Sequence, residues 1–286
     1  MVVLTRPEGT LPHDLHVSRR SLAALIAAGY AAAAVSADAE PITTSANGLI
    51  IADVTMPGGL PGYVARPAGA GKHPAVIVVN EVFGVHAWIK DICRRFAQLG
   101  YVAIAPGFFH RNDPGNTLAT STDFPTILKI VGAASNEQVM GDVATTLAWL
   151  DKQSYVQPKR RAITGFCWGG SVVWMAAARF PQLNAGAAWY GRIKGNPAST
   201  EARQWPIDVA GALKAPVLGL YGALDKGIPV ADVEAMAEAL RGTLSTINLY
   251  PNSDHGFLAD YRPSYNPVDG PDAWARMLAH FKANGV

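Results

Sequence analysis

The sequence predicts an α/β fold in which a mostly parallel central sheet is covered by helices on both faces. Short unbroken apolar runs at 75–80, 101–105, 185–190 and 215–221 read as strands buried on both sides. Stretches with apolar residues at helical spacing lie between strands, and Gly and Pro mark several of the boundaries. Strands that alternate with helices build parallel sheets, because each parallel step needs a crossover.

In chain order, 49–55 and 62–66 read as an antiparallel opening pair separated by Pro57, Gly58 and Gly59. The strand at 75–80 follows. A helix over 88–99 carries Trp88, Ile92, Cys93 and Phe96 at helical spacing, and the strand at 101–105 stops at Pro106 and Gly107. A polar loop, 111–123, leads towards a helix over 136–152, then a strand at 161–164 and a helix over 171–178. Strands at 185–190, 215–221 and 246–250, with helices at 230–240 and 271–283, complete the pattern. No internal repeat or linker follows residue 47, so 40–286 is expected to be one domain.

Composition narrows the function classes. Hydrophobic residues make up 49% of the 286 residues and charged residues 16%, which suits a well-cored globular chain and argues against disorder. A formal charge of +2 leaves no basic footprint, so no nucleic-acid partner is expected. Two cysteines, Cys93 and Cys167, make neither a disulfide framework nor a structural zinc site. At the N-terminus, Arg19 and Arg20 precede an apolar, Ala-rich run over 22–35 and then Ala37-Asp38-Ala39. The run is shorter than the ~18 residues of a membrane span, and the A-x-A triplet marks a cleavage site. Residues 1–39 are therefore expected to be a twin-arginine export signal. It would be read by the export machinery of a bacterial inner membrane and would leave a periplasmic or secreted protein with no stable membrane association.

The chemistry centres on Gly165-Phe166-Cys167-Trp168-Gly169, between the strand at 161–164 and the helix at 171–178. Gly-x-Cys-x-Gly is the thiol form of a strand–turn–helix nucleophile elbow. The strained turn demands small residues two before and two after the nucleophile, and the helix behind it favours thiolate. On the α/β-hydrolase fold such a nucleophile is followed along the chain by an acid and then a histidine, each at the carboxyl end of a strand. Asp225 follows the strand at 215–221 and His255 follows the strand at 246–250, which completes a Cys167–His255–Asp225 triad in the expected order. Asp254 adjoins His255 but reads as a turn former. Asp208 and Asp232 fall outside the expected loop, His86 and His110 lie in early loops, and His280 and Cys93 sit within helices.

With these residues in place, the chain resembles the dienelactone hydrolase family (carboxymethylenebutenolidases) of α/β-hydrolases over about residues 48 to 285. The resemblance rests on Val78-Val79-Asn80-Glu81-Val82-Phe83-Gly84, Cys93-Arg94-Arg95-Phe96-Ala97, Gly100 to Pro106, the Cys elbow, and His255-Gly256-Phe257 followed by Asp260-Tyr261-Arg262-Pro263-Ser264-Tyr265. It implies a cysteine hydrolase of small esters or lactones that works through a thioester and needs no metal or organic cofactor. It further implies that Glu81 holds the resting thiol and takes its proton when substrate arrives, and that two arginines bind a substrate carboxylate. Arg111 falls where the first is expected. The second follows the catalytic histidine by four residues in the family, where this chain has Ala259, and Arg262 is the nearby replacement. Backbone N–H groups of Trp168 and Val82 occupy the two places an oxyanion hole requires. Tyr190, with Trp88, Phe108 and Trp168, reads either as an aromatic wall against the substrate or as core packing. The alternatives are a general carboxylesterase of neutral esters, or a non-hydrolytic exported thiol, redox or binding protein on the same scaffold.

Overall fold

The computed structural model describes residues 43–195 and 203–286, so the expected export signal lies outside the described residues. Eight strands, β1 (Leu49–Met56), β2 (Leu60–Pro67), β3 (His73–Val79), β4 (Val102–Pro106), β5 (Val156–Phe166), β6 (Ala185–Trp189), β7 (Val217–Gly222) and β8 (Thr246–Tyr250), form one sheet in the order β1-β2-β4-β3-β5-β6-β7-β8. The first two strands are antiparallel to each other, β2 is antiparallel to β4, and every later pairing is parallel. Every residue of β4, β6 and β7 is buried. Successive strand residues point to opposite faces, so both faces of the sheet centre are covered, as the apolar runs require.

The helices are α1 (Ala87–Gln98), α2 (Phe124–Gly132), α3 (Asn136–Asp151), α4 (Trp168–Arg179), the single turn α5 (Pro206–Val209), α6 (Val230–Ala239) and α7 (Asp269–Ala283). Helix α1 packs on β2 and β4, α4 on β5 and β6, and α7 on β6 and β7. Its apolar stripe, Trp88, Ile89, Ile92, Cys93 and Phe96, explains why α1 docks as it does. Helix α3 starts on a capping box: Ser135 Oγ accepts from Gln138 N at 3.2 Å, and Gln138 Oε1 accepts from Ser135 N at 3.0 Å.

Three elements differ from the sequence expectation, the single turn α5 having no counterpart in it. Helix α2 follows what reads as loop; Pro125 in its first turn and the β-branched Thr126, Ile127, Ile130 and Val131 mask a short helix that buries only Ile127 and Val131. Strand β5 begins five residues before the apolar run, at Val156, because its Lys159 and Arg160 are exposed and break the hydrophobic signal.

Register then decides which loops meet. Val79 pairs with Gly165, and Gly165 with Ala188, so the turns after β3, β5 and β6 emerge side by side. Gly222 pairs with Tyr250, which brings the loops after β7 and β8 together at the same end of the sheet.

Candidate active site

Cys167 stands between β5 and α4 with φ 55° and ψ −117°, a conformation that costs a side-chain-bearing residue on the order of 1–3 kcal/mol. Neighbouring packing enforces it. The Cys167 N–H donates to Trp189 O at 3.0 Å, and Gly170 N–H donates to Cys167 O at 2.9 Å. A Cβ on Gly165 would lie 2.3 Å from Gly169 O, and one on Gly169 would lie 2.6 Å from Val79 O. Both positions flanking the nucleophile therefore admit only glycine, which is the steric reason for the Gly-x-Cys-x-Gly spacing. The side chain itself sits directly before the first turn of α4, where the helix dipole favours negative charge.

Asp225 and His255 come from the paired loops after β7 and β8. His255 Nδ1 and Asp225 Oδ2 are 2.7 Å apart, and both side chains are nearly buried. The other oxygen of Asp225 accepts from Gly227 N–H at 2.8 Å, which leaves the carboxylate a single orientation. Burial pulls the imidazole towards its neutral form, but the charges of Asp225 and of Cys167, with hydrogen bonds to both, outweigh it and raise His255 to about 10. Cys167 thus acts on the ring of His255 from outside the Asp225 pair. The ring of Tyr190 packs edge-on against His255 with centroids 5.0 Å apart. Asp254, the neighbouring acid, is exposed and accepts from the His255 N–H at 2.6 Å, as a turn former does.

Glu81 departs from the expectation that it holds the resting thiol. Its Oε1 accepts from Arg262 Nη2 at 2.7 Å, and its Oε2 accepts from the Tyr261 hydroxyl at 2.6 Å and lies 3.2 Å from His86 Nε2. Arg262 Nε in turn donates to the Tyr261 oxygen at 2.9 Å, while its guanidinium lies over Phe83, 5.5 Å from the ring centre. Burial raises the carboxyl, yet Arg262, His86 and Tyr261 together hold it down to about 2. With both oxygens engaged, this carboxylate is committed to a structural cluster rather than to the sulfur. His86 and Tyr261 were not singled out in the sequence as its partners; nothing short of the folded loops brings them to Glu81.

The expected arginine clamp is not assembled either. Arg111 makes two bonds to Asp142, Nη1 to Oδ2 at 2.8 Å and Nη2 to Oδ1 at 2.7 Å, the bidentate geometry a substrate carboxylate would need. Arg262 is buried with Glu81. Each guanidinium already has its carboxylate, so the pairing that defines a clamp is consumed inside the protein. Tyr190 is fully buried at φ 37°, and its hydroxyl has no hydrogen-bond partner among the described residues. Its place is beneath the site: the charges of Glu81, Arg262 and Cys167 all reach it.

A cavity of about 160 Å³ opens on Cys167, with Val82 and Trp168 at the same wall. Neither the Val82 nor the Trp168 N–H donates to a backbone carbonyl in the turns and loops described. The rest of the wall is α2, α3, α4 and the chain before α5, including Val131, Val139, Met140, Val172, Met175 and Trp205. The sequence carried no signal for these positions, since apolar residues that line a pocket have the same pattern as core. A larger cavity of about 360 Å³ lies between the β1–β2 hairpin and the loops after β3 and β4, away from the sulfur. Among the described residues, no group of three His, Cys, Asp or Glu side chains is placed to hold a metal ion. Cys93 is completely buried, and its thiol is pushed up by that burial.

The Dienelactone hydrolase family model matches residues 60–285. A "putative carboxymethylenebutenolidase" of Methylorubrum extorquens is 43% identical over 277 residues, covering 94% of each chain. One of Escherichia coli K12 is 41% identical over 264 residues, covering 90% of this chain and 96% of its own. Among solved structures, a "putative dienelactone hydrolase" from Klebsiella pneumoniae superposes with a TM-score of 0.77 at 44% identity, over 82% of this chain and 98% of that one. An acylaminoacyl peptidase shares the fold at 17% identity and a TM-score of 0.64, over 82% of this chain and 41% of its own.

Proposed function

The chain belongs to the dienelactone hydrolase family and is a hydrolase of ester or lactone bonds, and from that premise we propose that Cys167 is its nucleophile, His255 its proton carrier and Asp225 the acid that orients the histidine. The observation that carries this reading is the 2.7 Å Asp225–His255 pair beside a cysteine held on a strained turn. An unperturbed thiol, with a pKa of ~8.5, is mostly protonated at neutral pH. Raised basicity on His255 favours transfer of that proton to Nε2, since Nδ1 is turned to Asp225.

Sulfur then attacks the carbonyl carbon of a small-molecule ester or lactone, and the carbonyl electron pair moves to oxygen. The N–H groups of Val82 and Trp168 are the donors for that oxyanion, and each is worth ~3 kcal/mol in comparable sites. Collapse expels the alcohol oxygen, which takes the proton from His255, and leaves an acyl thioester on Cys167. Water, deprotonated by His255, cleaves the thioester and regenerates the thiol. Glu81 acts through structure in this scheme: its cluster with Arg262 fixes the turn that presents Val82.

Mass spectrometry of protein quenched during turnover of a slow ester tests the nucleophile directly. An acyl adduct on Cys167 is expected, absent in Cys167→Ala; an adduct elsewhere, or undiminished hydrolysis by Cys167→Ala, overturns the assignment. We also propose that 1–39 is a twin-arginine export signal and that 40–286 is a single domain exported to the periplasm, supported by Arg19-Arg20 and the apolar run that follows. Replacing Arg19 and Arg20 with Lys should trap the precursor in the cytoplasm, and normal export of that variant would refute it.

A further inference from the structure

Granted the hydrolase reading above, we propose that Arg192, and neither Arg111 nor Arg262, is the residue that reads the carboxylate of an anionic substrate. Four observations lead there. The 160 Å³ cavity shares a wall with Cys167, Trp168 and Val82, so whatever fills it lies against the sulfur and the two N–H groups. That volume is comparable to an engineered cavity of ~150 Å³ that admits one benzene. Its walls are apolar at Val131, Val139, Met140, Val172 and Met175, which favours hydrocarbon over a hydrated chain.

The third observation is a charge without a counter-charge among the described residues. Arg192 and Arg203 both line the cavity and both lie over the indole of Trp205, with guanidinium carbons 6.0 Å and 5.8 Å from its centre. Arg203 is fastened through Nε to Asn136 Oδ1 at 2.8 Å. Arg192 is half-buried and, among the described residues, its guanidinium has no ion pair or hydrogen bond and no Asp or Glu lines the cavity. A partly desolvated cation in that position is stabilised by a ligand anion. Its main chain is anchored meanwhile, because the Ser171 hydroxyl donates to Arg192 O at 2.7 Å.

The fourth is exclusion. Arg111 and Arg262, the two guanidinium groups expected to clamp a carboxylate, are already paired with Asp142 and Glu81. Arg192 keeps its planar fork for an incoming carboxylate, and the face of Trp205 sets the plane in which it is offered.

A matched pair of substrates separates this assignment from the hydrolase reading. The purified protein is assayed on 4-nitrophenyl hemiglutarate and on neutral 4-nitrophenyl pentanoate, as wild type, Arg192→Met, Arg192→Lys, Arg111→Ala and Cys167→Ala, with folding followed by circular dichroism. The ratio of kcat/KM for the anionic over the neutral ester is expected to fall about tenfold or more in Arg192→Met, by KM. Arg192→Lys, which keeps the charge and loses the fork, should lower it severalfold, and serves alone if the Met variant does not fold. Arg111→Ala should leave the ratio as it is. A ratio within twofold of wild type in the folded Arg192 variants, or one lowered equally by Arg111→Ala, overturns the role of Arg192. Turnover of pentanoate that survives Cys167→Ala, or never occurs, sinks the hydrolase reading instead.

Discussion

Two clusters of buried charge lie at the same end of the sheet and are wired in opposite ways. Around His255, one carboxylate and one sulfur face a single imidazole, and the proton between them belongs to a group raised only to about 10. Around Glu81, a carboxylate faces a guanidinium, a phenol and an imidazole, and its own proton is driven off down to about 2 while Arg262 is held charged well above its ordinary value. In the first cluster a proton can move in response to a substrate; in the second every charge is locked by a complementary one. Burial and ion pairing are common to both, so perturbed titration alone does not distinguish a reacting site from a structural one. What distinguishes them is whether the imidazole faces a nucleophile that can hand it a proton: His255 faces Cys167, whereas Glu81 is met only by groups that pair with its charge. The two are also coupled, since the charge of Cys167 raises Arg262.

The comparison breaks most sharply in activity. His255→Ala or Cys167→Ala is expected to lower kcat by about four orders of magnitude or more with little change in melting temperature, measured on any ester the wild type hydrolyses. Asp225→Asn should lose on the order of 10³–10⁴ in kcat, and its Cys167 should react with iodoacetamide more slowly at neutral pH than that of the wild type. A wild-type protein that shows the same alkylation profile would remove the proton carrier from the scheme.

On the locked side, the same type of change should read out as stability. Arg262→Met strands a buried carboxylate and is expected to cost roughly 3–5 kcal/mol in urea unfolding, whereas the double change Glu81→Leu with Arg262→Met should recover part of that. A loss under about 1 kcal/mol would mean the cluster is not a unit. Acid supplies a reagent-free version. Glu81 is depressed from 4.5 to about 2 on folding, so its contribution is complete above 4.5 and is lost as pH falls from there towards 2. That loss amounts to about 3 kcal/mol. The slope of unfolding free energy against pH in this window should flatten in Glu81→Gln. Smallest of all, Arg111→Ala removes a partly exposed guanidinium from the buried Asp142, which water reaches more easily than it reaches Glu81, and should cost about 1–3 kcal/mol, read from thermal unfolding.

Much of the architecture was legible because its causes are local. Buried strands announce themselves by unbroken apolar runs, helical spacing of Trp88, Ile92, Cys93 and Phe96 marks a helix, and Gly165 and Gly169 mark a turn too tight for a Cβ. Helix α2 escaped because Pro125 and β-branched residues argue against a helix that tertiary packing nonetheless stabilises. The lining of the cavity escaped for a different reason: Val139, Met140 and Met175 obey the rules of core residues, and only the shape of the assembled surface turns them towards a void.

From its sequence alone the order of this protein's strands, and of its helices other than α2 and α5, was determined, together with the tight turn at Cys167 and the succession Cys167, Asp225, His255 along the strand ends, since each depends on neighbours a few residues away or on chain order. The partners of its long charged side chains were decided only in three dimensions. Glu81 and Arg262 stand 181 residues apart, and Arg111 reaches from the loop after β4 to Asp142 on helix α3. A guanidinium on a flexible stem takes whichever carboxylate the fold brings within a few ångströms, and that choice is a property of the assembled loops.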